Sequence, residues 1–324
     1  MPRIRTIVFS LALALLLYAT LVAGIDAERT LAAMRQLDMR WWLAILALSL
    51  FNYGLRFARW HGYLRWLGDR VGLWRDGFIY IAGFALTTTP GKAGEGMRSV
   101  YLARHGVPYP HSLAAFFAER FIDLLAIALL SMLVLIAFSN YVWWVVAPLA
   151  ALAGLLIAVR QRRLLEHMQR RTANPEGRLQ TLLHGLVSAW DQAFALLGRR
   201  PLYAGLAIGL VAWAAEGVSL YVIAHGLDIE LALTTAIGIY AVSMLVGALS
   251  FIPGGLGSTE AVMVLLLKLS GVDATTALAV TLIARVATLW FAVVLGLVSL
   301  AAIELDRRRA VSATNRNVSN RNPG

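Results

Sequence analysis

A chain of 324 residues that is 59% hydrophobic and only 15% charged holds more apolar surface than one soluble core hides, which excludes an ordinary soluble enzyme. The lack of cysteine removes disulfides, thiolate catalysis and cysteine-ligated metals. The net charge of +11 rests on arginine, since Lys92 and Lys268 are the only lysines, and it sits in short stretches between apolar runs. That pattern reads as cytoplasmic loops facing anionic head groups, with nucleic acid not expected as a partner.

In chain order, Arg3 and Arg5 precede an apolar run over residues 7–24, long enough to span a bilayer; a secretory signal peptide is the alternative. Residues 25–40 form a mixed-charge linker. A second span over 41–60 opens on paired tryptophans, where an aromatic belt lies, and ends in Arg56, Arg59, Arg65, Arg70 and Arg75, which mark its cytoplasmic end. Residues 77–86 are apolar but short. Thr87-Thr88-Thr89-Pro90-Gly91 breaks them, and Gly94 to Arg104 follows. Neither piece reaches the roughly 20 residues of a spanning helix, so together they predict a re-entrant hairpin whose tip relies on protein or a water-filled cavity to satisfy its backbone.

Residues 111–138 read as a third span carrying Glu119, Arg120 and Asp123, and 142–159 as its return. Residues 160–200 are arginine-rich and cytoplasmic, with Leu179, Leu182, Leu183, Leu186, Val187, Trp190 and Leu197 at helical spacing. Such a stripe suits a helix on the membrane surface or one packed on the bundle. Residues 201–224 are the fifth span, with Glu216 inside. Residues 231–252 run into Pro253-Gly254-Gly255 and a short piece over 258–269, a second hairpin. Residues 275–303 are the last span, with Arg285 near the middle, and Arg307-Arg308-Arg309 follows. The tail, 310–324, reads as disordered.

The expected fold is therefore all-α and polytopic, one transmembrane domain over 1–309 with six spans and two re-entrant hairpins. With both termini in the cytoplasm, the basic clusters at 56–75, 160–178 and 307–309 all fall on the cytoplasmic side. The two hairpins belong to a duplication. Glu95 lies 25 positions before Arg120, as Glu260 does before Arg285, and Gly106-Val107 matches Gly271-Val272 at the same offset of 165. Units over about 41–138 and 201–303 then enter the membrane from opposite sides. Inverted repeats with broken helices are an architecture of secondary transporters, with the site at the repeat interface.

Arg120 and Arg285 lie roughly 15 Å deep in a bilayer core of about 30 Å, where an unpaired arginine costs at least about 2.5–3.5 kcal/mol. Glu95 and Glu260 are the partners the repeat supplies, with Glu119 and Asp123 local to Arg120. These residues either lock each hairpin to its span or engage a lipid phosphate, which a guanidinium fork suits. Arg56 and Glu216, at equivalent depths, are set to pair across the pseudo-symmetry axis unless Arg56 snorkels. Lys92, Arg98 and Arg104 ring the first hairpin, either as a solvated face or as a lure for anionic head groups. His105 and His111 lack a third ligand, so no metal is expected, and no cofactor or catalytic motif is found.

Pro90-Gly91-x-x-Gly94-Glu95 with Arg98, Glu119-Arg120-Phe121-Ile122-Asp123, and Pro253-Gly254-Gly255-Leu256-Gly257 with Glu260 and Arg285 resemble the flippase-like transmembrane region of lysylphosphatidylglycerol synthases. The resemblance runs from about residue 5 to 305. It implies a bacterial inner-membrane protein that translocates or handles lipid, without the lysine-transferring domain. A membrane-embedded lipid-modifying or glycosyltransferase-associated protein, or an accessory subunit of a lipid (for example hopanoid) synthesis complex, is the alternative. Anionic or phosphate-bearing lipids are the partners implied, and a homo-oligomer is compatible with the sequence.

Overall fold

The computed structural model describes residues 34–136 and 177–319, with scattered positions outside them. The expected first span, the return span over 142–159 and the first part of the cytoplasmic segment lie outside the described residues. Among those described, the elements are helical throughout. Helix α1 (Met39–Trp66) is followed by α2 (Leu73–Gly83), a 3-10 turn (Phe84–Leu86), a 3-10 stretch (Pro90–Met97), α3 (Arg98–Ala103) and α4 (Tyr109–Ser131). After α5 (Arg178–Leu196) the pattern returns as α6 (Arg199–Gly226), α7 (Leu233–Leu249), a 3-10 turn (Pro253–Gly255), α8 (Ser258–Leu269), α9 (Ala274–Arg285), a π-helical stretch (Val286–Trp290) and α10 (Phe291–Ser319).

Among the described residues, three stretches are long and apolar enough to cross a membrane: Met39–Trp66, Arg200–Gly226 and Ala274–Arg307. Helix α4 has the length, 23 residues, but carries Glu119, Arg120 and Asp123. At both expected hairpins the chain runs as two short helices around a glycine-rich break. Proline accounts for the break, because it has no N–H to give and clashes with the preceding turn.

Matched turns recur at the offset of 165 read in the sequence. Gly106 and Gly271, 165 positions apart, both take a left-handed φ, +84° and +93°. Each closes its helix with the same pair of bonds: Val107 N–H to Leu102 O and Gly106 N–H to Ala103 O, both at 3.2 Å, and Val272 N–H to Leu267 O at 3.1 Å with Gly271 N–H to Lys268 O at 3.0 Å. Helices α4 and α9 start at the same offset, Tyr109 and Ala274. Earlier in each unit, α2 and α7 start 160 positions apart, at Leu73 and Leu233. The stretch from the start of α7 to Gly271 is therefore five residues longer than that from the start of α2 to Gly106.

Two apolar clusters fill the interior. One gathers Trp60, Tyr80, Phe84, Leu102, Ile122 and neighbours around the first hairpin; the other gathers Leu220, Ile239, Met263, Leu267 and Ile283 around the second. Helix α5 docks on the first cluster through Ala193, Leu196 and Leu197, while Leu183 and Leu186 stay exposed. The bundle-packing reading of this stripe thus holds for its buried side. The last helix continues to Ser319, through most of the segment expected to be disordered. Extending an existing helix adds a hydrogen bond per residue with no new nucleation cost.

Close helix contacts depend on glycine at particular points. A Cβ on Gly296 would collide with the backbone nitrogen of Ala85, and one on Gly238 would lie 2.5 Å from that of Val134, whereas Gly62 faces open space. Gly296→Ala is therefore expected to lower the thermal unfolding midpoint in detergent, with an overpacking cost of about 1–3 kcal/mol. Gly62→Ala should leave the midpoint unchanged or raise it, because alanine is the better helix former by about 0.5–1 kcal/mol.

Candidate functional site

The centre of the molecule is an ion network built on α4. Glu119 and Asp123 are one turn apart on one buried face, and four arginines converge on them and on Glu95. Arg98 bridges two carboxylates, donating to Glu119 at 3.0 Å and to Glu95 at 2.8 Å. From α1, Arg56 reaches Asp123 at 3.1 Å, and Arg59, one turn further along, holds the other oxygen of the same carboxylate. The Arg120 guanidinium lies 3.0 Å from Asp123, 3.4 Å from Glu119 and 3.8 Å from Glu95. Neutral donors complete the carboxylates: Tyr80 to Glu119 at 2.6 Å, Thr87 to Glu95 at 2.8 Å, and the Trp213 indole to Asp123 at 3.1 Å.

Aromatic faces cover the guanidiniums. Arg98 sits 4.0 Å from the Tyr80 ring centroid and 5.1 Å from that of Trp60, and Arg56 lies 5.3 Å from that of Trp213. Such contacts contribute about 2 kcal/mol or more each when desolvated. Gly83 makes the room, because a Cβ there would run into the Arg98 side chain. The network holds four arginines against three carboxylates, an excess of one positive charge.

The second unit is simpler. Arg285 donates through Nε to Glu260 at 2.6 Å and through Nη2 to the carbonyl of Gly254 at 2.7 Å. The other Glu260 oxygen accepts the N–H of Gly257 at 2.7 Å. Gly254, Gly255 and Gly257 all have left-handed φ, between +64° and +89°. One arginine and one glutamate thus fasten a break that only glycine adopts without strain. The π-helical stretch follows Arg285 directly, a departure often found at functional sites.

The two tips meet. The backbone of Thr88 lies 3.6 Å from a Cβ position on Gly254, and between the tips opens a cavity of about 190 Å³. Arg120 and Asp123 form its charged wall, Thr89 and Thr259 supply hydroxyls, and Leu249, Phe251 and Ile252 make an apolar rim. Phe251 is 71% exposed and is one of two non-glycine residues among those described with a left-handed φ, here +54°. The Nε and Nη2 donors of Arg120 have no aligned hydrogen-bond acceptor, although three carboxylates stand within 4 Å. The Arg120 side chain lines the cavity and is 16% exposed. A smaller cavity of about 40 Å³ lies behind Trp213 and Met244, lined by Arg56, Glu216, Tyr240 and Arg285 among others.

Several expectations change in detail. Arg285 joins Glu260 as the repeat suggested, whereas Glu95 gives its short bond to Arg98 and stands 3.8 Å from Arg120. Arg98 is fully buried, so it does not belong to a solvated ring around the first hairpin. Arg56 does not snorkel, being 4% exposed with its guanidinium on Asp123, and Glu216 instead accepts the Tyr240 hydroxyl at 3.4 Å. Arg59 is no loop charge either; the exposed basic residues are Arg65 in the last turn of α1 and Arg70 and Arg75 beyond it. Pro90, Gly91 and Lys92 lie in the 3-10 stretch of the first tip, and Pro253 opens the second. His111 pairs with Asp69 at 3.0 Å, and burial together with Arg75 and Arg104 lowers the pKa of His105. Arg59, Tyr80 and Trp213 were not singled out in the sequence. For Arg59 a signal existed, since Arg56 and Arg59 share a helix face as Glu119 and Asp123 do.

The description "Lysylphosphatidylglycerol synthase TM region" matches residues 7–296. The chain belongs to that family. It is a membrane protein. A UPF0104 membrane protein of Pyrococcus horikoshii is 23% identical over 305 residues, covering 85% of this chain and 90% of the relative. The glycosyltransferase AglD of Haloferax volcanii is 32% identical over 144 residues, which are 43% of this chain and 23% of that protein. A phosphatidylglycerol lysyltransferase of Staphylococcus haemolyticus is 36% identical over 105 residues, 32% of this chain and 12% of that protein.

The network predicts unequal costs for charge removal. Glu119→Gln leaves buried arginines under-compensated and is expected to destabilise the protein by about 3–5 kcal/mol. Arg307→Ala, which breaks a partly exposed pair with Glu304 at 3.2 Å, should cost about 1 kcal/mol or less. Thermal unfolding of both variants in the same detergent checks the order.

Proposed function

We propose that this protein moves an anionic or phosphate-bearing lipid, a phospholipid or a polyprenyl-linked carrier, between the leaflets of a bacterial cytoplasmic membrane, without ATP of its own. The observation that carries this reading is the cavity between the two tips, where Arg120, the most exposed arginine of the network at 16% of its side chain, lines a space rimmed by exposed Leu249, Phe251 and Ile252. A charged wall suits a phosphate and an apolar rim suits acyl chains. At about 190 Å³ the cavity suits a head group and leaves the chains in the bilayer.

The rest of the reading concerns placement. The short helix pairs are two re-entrant hairpins in inverted orientation, each meeting the other near the midplane, with both termini cytoplasmic and six spans in one transmembrane domain. Broken helices of this kind are tolerated at depth where protein satisfies their backbone, and the bonds from Arg285 to Gly254 and from Gly94 N–H to the Thr89 hydroxyl at 2.7 Å do so. Alternating exposure would come from one unit rocking on the other around the cavity. Glu95, Arg98, Glu119, Asp123, Glu260 and Arg285 hold the tips, and Arg120 meets the substrate.

A second reading is favoured by the partial matches to two named transferases. In it the domain presents a lipid to a separate enzyme of lipid synthesis, or is a subunit of such a complex, and a stable soluble partner co-purifying with the tagged protein would support it.

In liposomes with a leaflet-specific assay of labelled phosphatidylglycerol, the wild type should accelerate flipping, and Arg120→Ala and Arg285→Ala should each reduce the rate at least tenfold. Rates equal to wild type in both variants would contradict the site assignment. Placement has its own check, helped by the cysteine-free chain. Arg104→Cys and Lys268→Cys, both at exposed positions, should label from opposite faces of the membrane with an impermeant thiol reagent. Labelling from the same face would contradict the inverted arrangement.

A further inference from the structure

Arg120 shares the tip cavity with the start of α8, whose second residue, Thr259, lines the same space and is 1% exposed. A helix leaves the N–H groups of its first turn without carbonyl partners, and its dipole sets positive potential there. In this turn the N–H of Gly257 is taken by Glu260 at 2.7 Å, and the charge of Glu260 is matched by Arg285 at 2.6 Å. The Thr259 hydroxyl makes no hydrogen bond within the described residues. Its neighbours give it room instead: a Cβ on Gly247 would collide with Thr259 Oγ1, and one on Gly255 would lie 2.7 Å from it. Both glycines line the cavity, so the hydroxyl stands at its wall. A buried hydroxyl without a partner is costly, and a ligand oxygen in the cavity would supply that partner.

Two features of the same wall oppose an anion, and each is answered. Asp123 lines the cavity, but its oxygens accept from Arg56 at 3.1 Å, Arg120 at 3.0 Å, Arg59 and the Trp213 indole at 3.1 Å. Four donors match the four lone-pair sites of a carboxylate, which leaves it none for a cationic ligand. Helix α7 ends on the cavity at Leu249, where a C-terminal dipole would repel an anion. Ser250 caps that end, with its N–H on Val246 O at 2.9 Å and its hydroxyl on Gly247 O at 2.8 Å. What the wall offers a ligand is then the Arg120 guanidinium from one unit and the start of α8 from the other. A tetrahedral phosphate has oxygens to meet both, since helix N-termini and guanidiniums each suit it.

We propose that the first turn of α8, with the Thr259 hydroxyl, is the second half of a phosphate site in the tip cavity, so that one phosphate is held by Arg120 of the first unit and by Thr259 of the second. This inference rests on the lipid-handling reading and adds the head-group contact made by the second unit.

The test measures equilibrium binding to the full-length protein in detergent with three probes: phosphatidylglycerol, diacylglycerol with the same chains and no phosphate, and glycerophosphoglycerol, the same phosphodiester without chains. Wild type should bind phosphatidylglycerol more tightly than diacylglycerol. Thr259→Ala should weaken phosphatidylglycerol binding at least about tenfold, the loss expected for a hydrogen bond to a charged group, and leave diacylglycerol binding unchanged. Thr259→Ser keeps the hydroxyl and should retain the wild-type affinity. Thr259→Val fills the space without a hydroxyl and should behave as Thr259→Ala, which separates the lost bond from a void. Unchanged phosphatidylglycerol binding in Thr259→Ala and Thr259→Val, an equal loss in Thr259→Ser, or a parallel loss for diacylglycerol overturns the inference, and the lipid reading stands while wild type still prefers phosphatidylglycerol. A wild type that binds diacylglycerol as tightly as phosphatidylglycerol overturns both. Glycerophosphoglycerol bound as tightly as phosphatidylglycerol, and weakened likewise by Thr259→Ala, supports the phosphate site and overturns the lipid reading.

Discussion

An ionised arginine in a lipid-facing protein interior has to be matched by charge and by acceptors, and that constraint shapes this molecule. Four guanidiniums lie within one cluster, and no single helix supplies enough carboxylate to match them. Helix α4 gives Glu119 and Asp123, the first tip gives Glu95, and α1 and α3 bring arginines inward to meet them. The fold is in this sense a way of bringing distant segments to one point: Arg56 and Asp123 are 67 residues apart in sequence. Remove the carboxylates and the helices lose the reason for their mutual placement.

The tips obey the companion constraint, that backbone polar groups away from water need partners. At the second tip Arg285 and Glu260 meet it with side chains, through Gly254 O and Gly257 N–H. At the first, Thr89 serves both Gly94 N–H and Leu86 O at 2.7 Å. The two units thus solve one problem by different means. The charge excess stays entirely in the first unit, whose Arg120 and Asp123 form the charged wall of the cavity between the tips. Among the described residues the second tip is bound by Arg285, where the first gathers Arg56, Arg59, Arg98 and Arg120.

Much of this arrangement is readable in the sequence, and what is not has a physical cause. The breaks at Pro90 and Pro253 announce themselves because proline and glycine interrupt apolar runs. The Glu260–Arg285 pair is readable because a fixed spacing of 25 recurs and each partner has few rivals. Glu95 is harder: Arg98, one turn away, competes with Arg120 for it, and geometry decides. Arg59 and Arg98 read as loop charges because sequence hydropathy scores an arginine as exposed unless its partners are known. Their partners lie 64 and 21 residues away on α4. Trp213 and Tyr80 are indistinguishable in sequence from core aromatics, since only the third dimension aims their polar atoms at Asp123 and Glu119. The family membership supports the membrane setting and leaves the chemistry to the site.

The central claim is that the tip cavity is an anion site whose cation is Arg120. An experimental structure of the protein in nanodiscs of phosphatidylglycerol tests it most directly. The account predicts a lipid phosphate within hydrogen-bonding distance of the Arg120 guanidinium, with its chains running past Leu249, Phe251 and Ile252. A cavity closed by protein side chains, or filled by an acyl chain with the phosphate at the membrane surface, would contradict it.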